Sequence, residues 1–253
     1  MKIRDFLLAG ALALASGAGA AYAAAPAAQP TADDIITRQI AARGGADRLH
    51  AIRTLRFEGR LIAPGDFRLD VVQWQTRAGK TRTDASIQGL TAIQAWDGTT
   101  GWKVQPFGGR KDPETLSADD ARELVDQADI DGPLYDYKAK GNTVEYLGTE
   151  DVDGTAAYKL RLTEKSGDQL TYWIDTDTLM TIRQRTRRTL HGRQEESVSD
   201  LGDYEQIGGF YFPFEVESGP PGAASDQKVK ISLSKGEANV AVDDALFKMP
   251  GAK

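Results

Sequence analysis

Residues 156–190 read AAYKLRLTEKSGDQLTYWIDTDTLMTIRQRTRRTL, and apolar side chains occupy every second position from Tyr158 to Leu162. Successive side chains of a β-strand point to opposite faces, so this alternation indicates a strand with one buried and one solvated face. Ser166-Gly167 and Asp175-Thr176-Asp177 interrupt the alternation with residues that favour turns. The stretch predicts three consecutive antiparallel strands, at residues 156–163, 169–175 and 180–190.

The same alternation recurs along most of the chain. About eleven strand-like runs fall between residues 54 and 239. Most of them follow one another directly, and sequential antiparallel strands pair through hairpins. The fold class predicted is mainly β with some helix (α+β), arranged as a meander or an open barrel.

One amphipathic helix interrupts the strands, at residues 117–128 of a predicted insert near 113–137. Ser117 followed by Asp120 resembles a capping box. An apolar stripe follows at i, i+3, i+4 and i+7, formed by Ala121, Leu124, Val125 and Ala128. A helix fixed permanently on the sheet and a movable lid over a cavity both fit this stripe.

The first strands carry the best candidates for an inward face. Leu55, Phe57 and Leu61 share one parity, and the next strand continues with Phe67 and Leu69. After Val71 both parities are apolar, which indicates a strand covered on both faces or bent at a bulge. The hairpin around Asp97-Gly98 is expected to bring Trp96 and Trp102 close together.

A leader precedes the strands. Lys2 and Arg4 come before an apolar run at residues 6–15 and small residues up to Ala23, which is the pattern of a cleavable signal peptide. We therefore expect a signal peptide at 1–23, a linker at 24–30 and one domain at 31–253, exported to a bacterial periplasm. The chain contains no cysteine, so neither a disulfide nor a lipid on a cysteine is expected.

The domain is predicted to begin with a helix. Thr31 is a suitable N-cap, with Asp33 and Asp34 in the first turn, where the helix dipole favours negative charge. Gly44-Gly45 ends the helix, and a short helical turn follows at residues 46–52. We expect both to pack against the sheet.

Composition and motifs argue against several classes of function. The formal net charge is −6, which disfavours nucleic-acid binding. Only His50 and His191 are present, and we find no nucleophile elbow, metalloprotease or P-loop motif. Asp175 and Asp177 fit turn chemistry. We therefore expect no enzyme activity, no catalytic residue, no metal site and no cofactor.

Several stretches together resemble the periplasmic outer-membrane lipoprotein-sorting proteins, the LolA/LolB-like lipoprotein carrier superfamily. They are Gly44-Gly45 with Ile52, WDG at 96–98 with Trp102, DGPL at 131–134, WIDTDTL at 173–179, GGFYFP at 208–213 and VDDALFKMP at 242–250. The resemblance implies a half-open, strongly curved antiparallel β-barrel covered by helices, with an apolar cavity for acyl chains.

The resemblance gives the inward positions a function to test. The cavity candidates on strands are Leu55, Phe57, Leu61, Phe67, Leu69, Trp96 and Trp102, with Leu124 and Val125 as a cover. The simpler interpretation of each is ordinary core packing. The function expected is a periplasmic carrier or chaperone that binds a lipid or the acyl chains of a lipoprotein. The alternative is a non-catalytic sensor or scaffold of the same fold that docks on an inner- or outer-membrane envelope protein.

A basic strip is the other local feature. Arg183, Arg185 and Arg187 share one face of a predicted strand. Cross-strand pairing with Glu195 and Glu196 would explain them. Docking to anionic lipid headgroups or to an acidic partner is the functional interpretation.

Overall fold

The computed structural model describes residues 29–251. The predicted signal peptide and most of the predicted linker lie outside the described residues. Over this range, thirteen strands form a single sheet, accompanied by three α-helices. Within the described residues, no helix is long and apolar enough to cross a membrane.

The helices are α1 (Ala32–Ala42), α2 (Ala46–Ala51) and α3 (Ala118–Gln127). The strands that precede α3 are β1 (Thr54–Ala63), β2 (Phe67–Thr76), β3 (Lys80–Ile87), β4 (Leu90–Trp96), β5 (Gly101–Val104) and β6 (Glu114–Thr115). The strands after it are β7 (Thr143–Val152), β8 (Thr155–Thr163), β9 (Gln169–Asp175), β10 (Thr181–Leu190), β11 (Arg193–Ile207), β12 (Phe210–Gly219) and β13 (Val229–Ala238).

The sheet is open, curled and antiparallel throughout. Its order is β6-β5-β4-β3-β2-β1-β13-β12-β11-β10-β9-β8-β7. β1 and β13 lie at the centre. We call β2 to β6 the first wing and β7 to β12 the second wing. This architecture confirms the predicted half-open barrel.

The predicted count of about eleven strands was too low. The prediction lacked β3 and the two-residue β6. β3 reads KTRTDASI, and its inward positions include Thr81, Thr83 and Ala85, which face Gln75, Gln73 and Val71 of β2. Small and hydroxyl side chains give no apolar alternation, so the strand is held by its two neighbours and its own periodicity does not reveal it.

α1 and α2 pack on the concave side of the sheet, as predicted. Thr31 and Asp34 form a reciprocal capping box at the start of α1. Ile35, Ile36 and Ile40 of this helix are buried. They join one core cluster with Leu49, Leu55, Phe57, Leu160, Leu162, Leu170, Ile174, Phe210 and Phe214. The side of the sheet that carries these residues is its inner face.

The strand register corrects the expected arrangement of the two tryptophans. Trp96 pairs with Gly101, whereas Trp102 pairs with Ala95, so the two side chains lie on opposite faces of the hairpin. Trp102 is fully buried on the outer face, and its indole N–H donates to the carbonyl of Phe247 at 2.7 Å. A short 3-10 helix, Asp244–Phe247, thus covers the outer face of the first wing. On β2, the outer-face residues Val72 and Trp74 are partly buried, so this strand is apolar and partly covered on both faces.

Candidate functional site

An apolar band crosses the centre of the inner face. Leu61 of β1 pairs with Leu69 of β2 and with Ile231 of β13. Ile231 pairs with Val216 of β12, which pairs with Leu201 of β11. Leu69 is buried and the other four are only partly buried. Neighbouring strands lie about 4.8 Å apart, so this inner band runs for roughly 19 Å across five strands.

Aromatic rings continue the inner band towards α1 and α2. Phe57 of β1 contacts Phe212 and Phe214 of β12 edge-on, with ring centroids 5.8 and 6.2 Å apart. Phe212 also contacts Phe210 at 5.5 Å. Phe57, Phe210 and Phe214 are buried, whereas Phe212 is only partly buried. The apolar surface that remains accessible therefore extends from the inner band to Phe212.

The inner face of the first wing becomes polar away from the centre. Gln73 of β2 pairs with Thr83 of β3, Thr83 pairs with Gln94 of β4, and Gln94 pairs with Lys103 of β5. Gln94 is exposed. The concave surface thus offers apolar contacts at its centre and hydrogen-bonding groups on one flank.

α3 contacts both wings. On the first wing, Ala121 lies against Gly101, where an added Cβ would come within 2.8 Å of the alanine Cβ. On the second wing, Arg122 forms an ion pair with Asp168 and donates to the carbonyl of Thr189 at 2.9 Å. Leu124 is buried between these contacts. The helix therefore closes the gap that the curled sheet leaves between its wings.

Electrostatics strengthen the contact of α3 with the second wing. Arg188 of β10 donates to Asp126 of α3 at 2.7 Å, and its Nε lies 3.9 Å from Asp168. Burial raises the pKa of the Asp126 carboxyl, although the charge of Arg188 opposes this shift. Burial also raises the pKa of the nearby Glu164 carboxyl. Two arginines thus neutralise a partly buried group of acids at one end of the concave face.

A second accessible surface is a groove between α1 and residues 134–139, with a volume of about 580 Å³. Its apolar floor includes Ile36, Ile40 and Leu134, which belong to the core cluster. Lys138 donates to Asp33 at 2.6 Å across its rim. This hydrogen bond is the main reason why the pKa of the Asp33 carboxyl is lowered. The volume lies within the range typical of small-ligand sites.

The nine predicted cavity residues occupy different environments. Leu55 and Phe57 belong to the core cluster, and Leu61 and Leu69 belong to the inner band. Trp96 is partly buried on the inner face, Leu124 is buried in α3, and Trp102 lies on the outer face. Val125 is 44% exposed. Phe67 is 46% exposed and contacts Phe107 edge-on at 6.4 Å.

Sequence reasoning missed Leu201, Val216 and Ile231 of the inner band. Their strands were predicted, and an apolar parity is visible in each. The missing information was which strands stand side by side. The non-local pairing of β1 with β13 supplies it.

The basic strip lies on the outer face and is paired with acids. Arg185 and Arg187 both form ion pairs with Glu196, at 3.3 and 2.9 Å. Arg183 pairs with Asp200 and Asp153. The expected partner Glu195 instead lies opposite Arg188 in the register, on the other face. Docking to a headgroup or a partner by this strip stays a prediction.

Among residues 29–251, no group of three or more His, Cys, Asp or Glu side chains is placed to hold a metal ion. His191 faces Asp120 at 3.4 Å, near the start of α3. Asp119 accepts a hydrogen bond from the backbone N–H of His191 at 2.9 Å. These contacts attach the helix to the β10–β11 hairpin.

Solved structures with a similar fold are known. No family model matches the chain, and no curated protein matches it. A candidate outer membrane lipoprotein-sorting protein domain from Vibrio parahaemolyticus is similar at 11% identity and a TM-score of 0.58, covering 86% of this chain and 95% of that one. A LolA superfamily protein from Nitrosomonas europaea is similar at 14% identity and a TM-score of 0.55, covering 87% and 98%.

A third similar structure is a DUF1329 family protein from Desulfovibrio piger. It shares 15% identity at a TM-score of 0.53, covering 86% of this chain and 95% of that one. All three likenesses extend over most of both chains. The chain therefore has a LolA-like fold.

Proposed function

We propose that this chain, with its LolA-like fold, is a periplasmic carrier that binds a lipid or the acyl chains of a lipoprotein on its concave face. The inner band is the observation that carries the proposal. Leu61, Val216, Leu201 and Ile231 are aliphatic, face inwards and are only partly buried. Their accessible surface would be covered by an apolar ligand.

The physical basis is the transfer of hydrocarbon out of water. Each methylene group moved into an apolar site stabilises the complex by about 0.8 kcal/mol. The inner band offers roughly 19 Å of apolar contact. A carrier must also release its ligand, and a surface that stays open to solvent suits exchange better than a sealed core.

The cover of the site belongs to the same proposal. Leu61 and Leu69 would contact the ligand directly, with Phe57 beneath it and Val125 on the covering helix. Val125 is the one exposed member of the predicted α3 stripe. Because α3 reaches from the first wing to the second, a ligand on the inner band would lie under or beside this helix.

The function of the similar proteins supports a role in the cell envelope. One of them is described as a candidate outer membrane lipoprotein-sorting protein domain. The predicted signal peptide would deliver the chain to the periplasm. The partners proposed are therefore a lipid or lipoprotein as ligand and envelope proteins that give or receive it.

Two neighbouring residues allow a matched test. Leu61 faces the inner side and Ile62 the outer side of β1, and both are partly buried. We expect Leu61→Asn to weaken binding of a fluorescent acyl probe to the delipidated mature protein by about 30-fold, since burying a leucine side chain under the ligand contributes about 2 kcal/mol. Ile62→Asn should leave the affinity unchanged.

Native mass spectrometry of the untreated protein completes the test. Co-purified acyl species are expected, and Leu61→Asn should reduce their occupancy. Equal effects of Leu61→Asn and Ile62→Asn would remove the inner band from the site. A protein that neither co-purifies with lipid nor binds the probe would instead favour the scaffold alternative.

A further inference from the structure

Arg43 is held on the inner face at the end of α1. Its backbone carbonyl accepts from the N–H of Tyr211 at 2.7 Å, and its Nε donates to the carbonyl of Tyr211 at 3.1 Å. The guanidinium lies over the ring of Phe210, 4.5 Å from the centroid, and 5.9 Å from that of Phe212. Both rings lie on the inner face of β12, so the guanidinium lies on the concave side of the sheet.

This guanidinium has no acidic counterpart in the described part of the chain. Arg77 and Arg82, which are also partly buried, pair with Asp131 and Asp84. The phenols of Tyr204 and Tyr172 lie near this guanidinium, and a protonated phenol carries no charge that would compensate the cation. Burial lowers the pKa of the Arg43 guanidinium, but an arginine stays charged at neutral pH. A buried cation is costly unless an anion or hydrogen-bond acceptors compensate it.

Tyr172 adds an independent sign of a missing acceptor. Its side chain is 5% exposed, and its hydroxyl has no hydrogen-bond partner among the described residues. Burial raises the pKa of this phenol, so it remains a protonated donor. A buried hydroxyl without a partner destabilises a protein, because it has lost its hydrogen bonds to water. A ligand oxygen would satisfy it.

We infer that Arg43 and Tyr172 form an anion-binding subsite on the inner face, which takes the carboxylate or phosphate head of an acyl amphiphile. The inference rests on the proposed function, because the tail of the ligand would lie on the inner band. The guanidinium can hold two oxygens of one head in a fork. The phenol of Tyr172 donates to the same head.

β12 provides the path from head to tail. Phe212 lies beside Arg43, and Val216 belongs to the inner band. The two residues are four positions apart on the same face of the strand, a separation of roughly 13 Å. The ligand that fits is therefore an anionic amphiphile with its head at Arg43 and a chain long enough to reach Val216 of the inner band.

Two ligands with the same tail but different heads separate the contribution of the head to affinity from that of the tail. Binding of dodecanoate and of 1-dodecanol to the delipidated mature protein would be measured by calorimetry at low ionic strength. Dodecanoate should bind about 10-fold tighter, since hydrogen bonds to a charged head are stronger than those to a neutral hydroxyl. Arg43→Met should abolish this preference and leave the affinity for 1-dodecanol unchanged.

Arg38→Met is the matched control. Arg38 also lies on α1 without an acidic partner among the described residues, and it lies over the ring of Tyr158 at 5.7 Å. The preference for dodecanoate should survive this change. Tyr172→Phe keeps the ring and should reduce the preference by a few-fold. Thermal unfolding of each variant shows whether it is folded.

The outcomes distinguish the two proposals. If neither ligand binds the wild-type protein, the proposed carrier function fails and the subsite fails with it. If both bind equally tightly, the carrier survives and the subsite is overturned. A preference that persists in Arg43→Met also overturns it. Inorganic phosphate binding alone, without discrimination between the two amphiphiles, would indicate a site for a free anion and overturn the amphiphile proposal.

Discussion

Asp126 on α3 accepts a hydrogen bond from Arg188 on β10, with 2.7 Å between Oδ2 and Nη2. This contact and the Arg122–Asp168 ion pair join the polar side of α3 to the second wing. The apolar side of the same helix packs on the first wing. A single helix therefore links two parts of the sheet that are separated by the central strands.

The first prediction concerns this link. Asp168 is nearly buried, with a side chain that is 6% exposed. Among residues 29–251, Arg122→Met leaves the Asp168 carboxylate with only the Nε of Arg188, at 3.9 Å. We expect the free energy of unfolding to fall by about 2–3 kcal/mol, because removing one partner of a buried pair leaves a charge poorly compensated. Urea unfolding followed by circular dichroism measures this loss.

Arg161→Met is the control for that change. Arg161 pairs with Glu145 on an exposed part of the sheet, where the side chains are 40% and 61% exposed. Exposed pairs contribute about 0–1 kcal/mol. Equal losses for Arg122→Met and Arg161→Met would show that the contact of α3 with the second wing contributes little to stability.

The second prediction separates packing from ligand contact on α3. Leu124 is buried, so Leu124→Ala should lower the free energy of unfolding by about 2–5 kcal/mol. Val125 is exposed, so Val125→Asp should change stability by no more than about 0.5 kcal/mol. Val125→Asp should nevertheless weaken binding of the fluorescent acyl probe. An unchanged affinity would remove Val125 from the proposed site.

The third prediction concerns the junction between α1 and β12. Gly44 has a φ of 129°, and an added Cβ would lie 2.2 Å from the carbonyl oxygen of Gly209. Gly44→Ala should therefore reduce the free energy of unfolding by about 3 kcal/mol or more, through backbone strain and a clash with backbone.

Gly45 is the matched control, since its φ is 90° and a Cβ there would meet nothing within 4 Å. Gly45→Ala should lose about 1–3 kcal/mol, the strain of an L-residue held at a φ of 90° and a ψ of 157°, because no clash adds to it. Thermal unfolding of both variants tests the comparison. A larger loss at Gly45 would contradict the close approach of α1 to the β11–β12 hairpin.

The fourth prediction is a pH dependence at Asp200 on the outer face. Burial tends to raise the pKa of its carboxyl, but hydrogen bonds from Lys228 and Arg183 lower it overall. A depressed folded-state pKa contributes stability above the unfolded value of 3.8, and this contribution is lost as the pH falls through the folded value. Asp200→Asn should therefore reduce stability at pH 7 by about 1 kcal/mol.

The deficit of Asp200→Asn should begin to shrink below about pH 3.8 and should be lost as the pH falls through the lower folded-state pKa, where the wild-type carboxyl becomes protonated as well. Melting temperatures across this range provide the measurement. Asp70→Asn serves as the control. The Asp70 side chain is 81% exposed, and its carboxylate lies 3.6 Å from Arg60, so this pair is exposed to solvent and contributes little to stability. A deficit that does not depend on pH would show that the loss at Asp200 is steric.

Local elements of the fold were predictable from the sequence. The insert helix was predicted at residues 117–128 and is found at Ala118–Gln127, with Ser117 as its N-cap. The capping side chain and the apolar stripe both act within a few residues. β3 was not predictable in this way, since its residues are small or polar and its position depends on β2 and β4.

The basic strip shows the same limit at the level of single residues. The alternation correctly placed Arg183, Arg185 and Arg187 on one face. It did not identify their partners, because the partners depend on the register between β10 and β11. Glu196 faces Arg187, whereas Glu195 faces Arg188, and a shift of one residue moves a side chain to the other face.

By itself, the sequence determined the strand alternation, the turns, the helix caps and the resemblance to lipoprotein carriers. These depend on periods of two or 3.6 residues and on short motifs. The tertiary structure alone decided which strands lie side by side, and so formed the inner band. The reason is long-range pairing: Arg56 of β1 donates to Glu237 of β13, 181 residues away. The environment of Arg43 has the same origin, since α1 and β12 meet only in the folded chain.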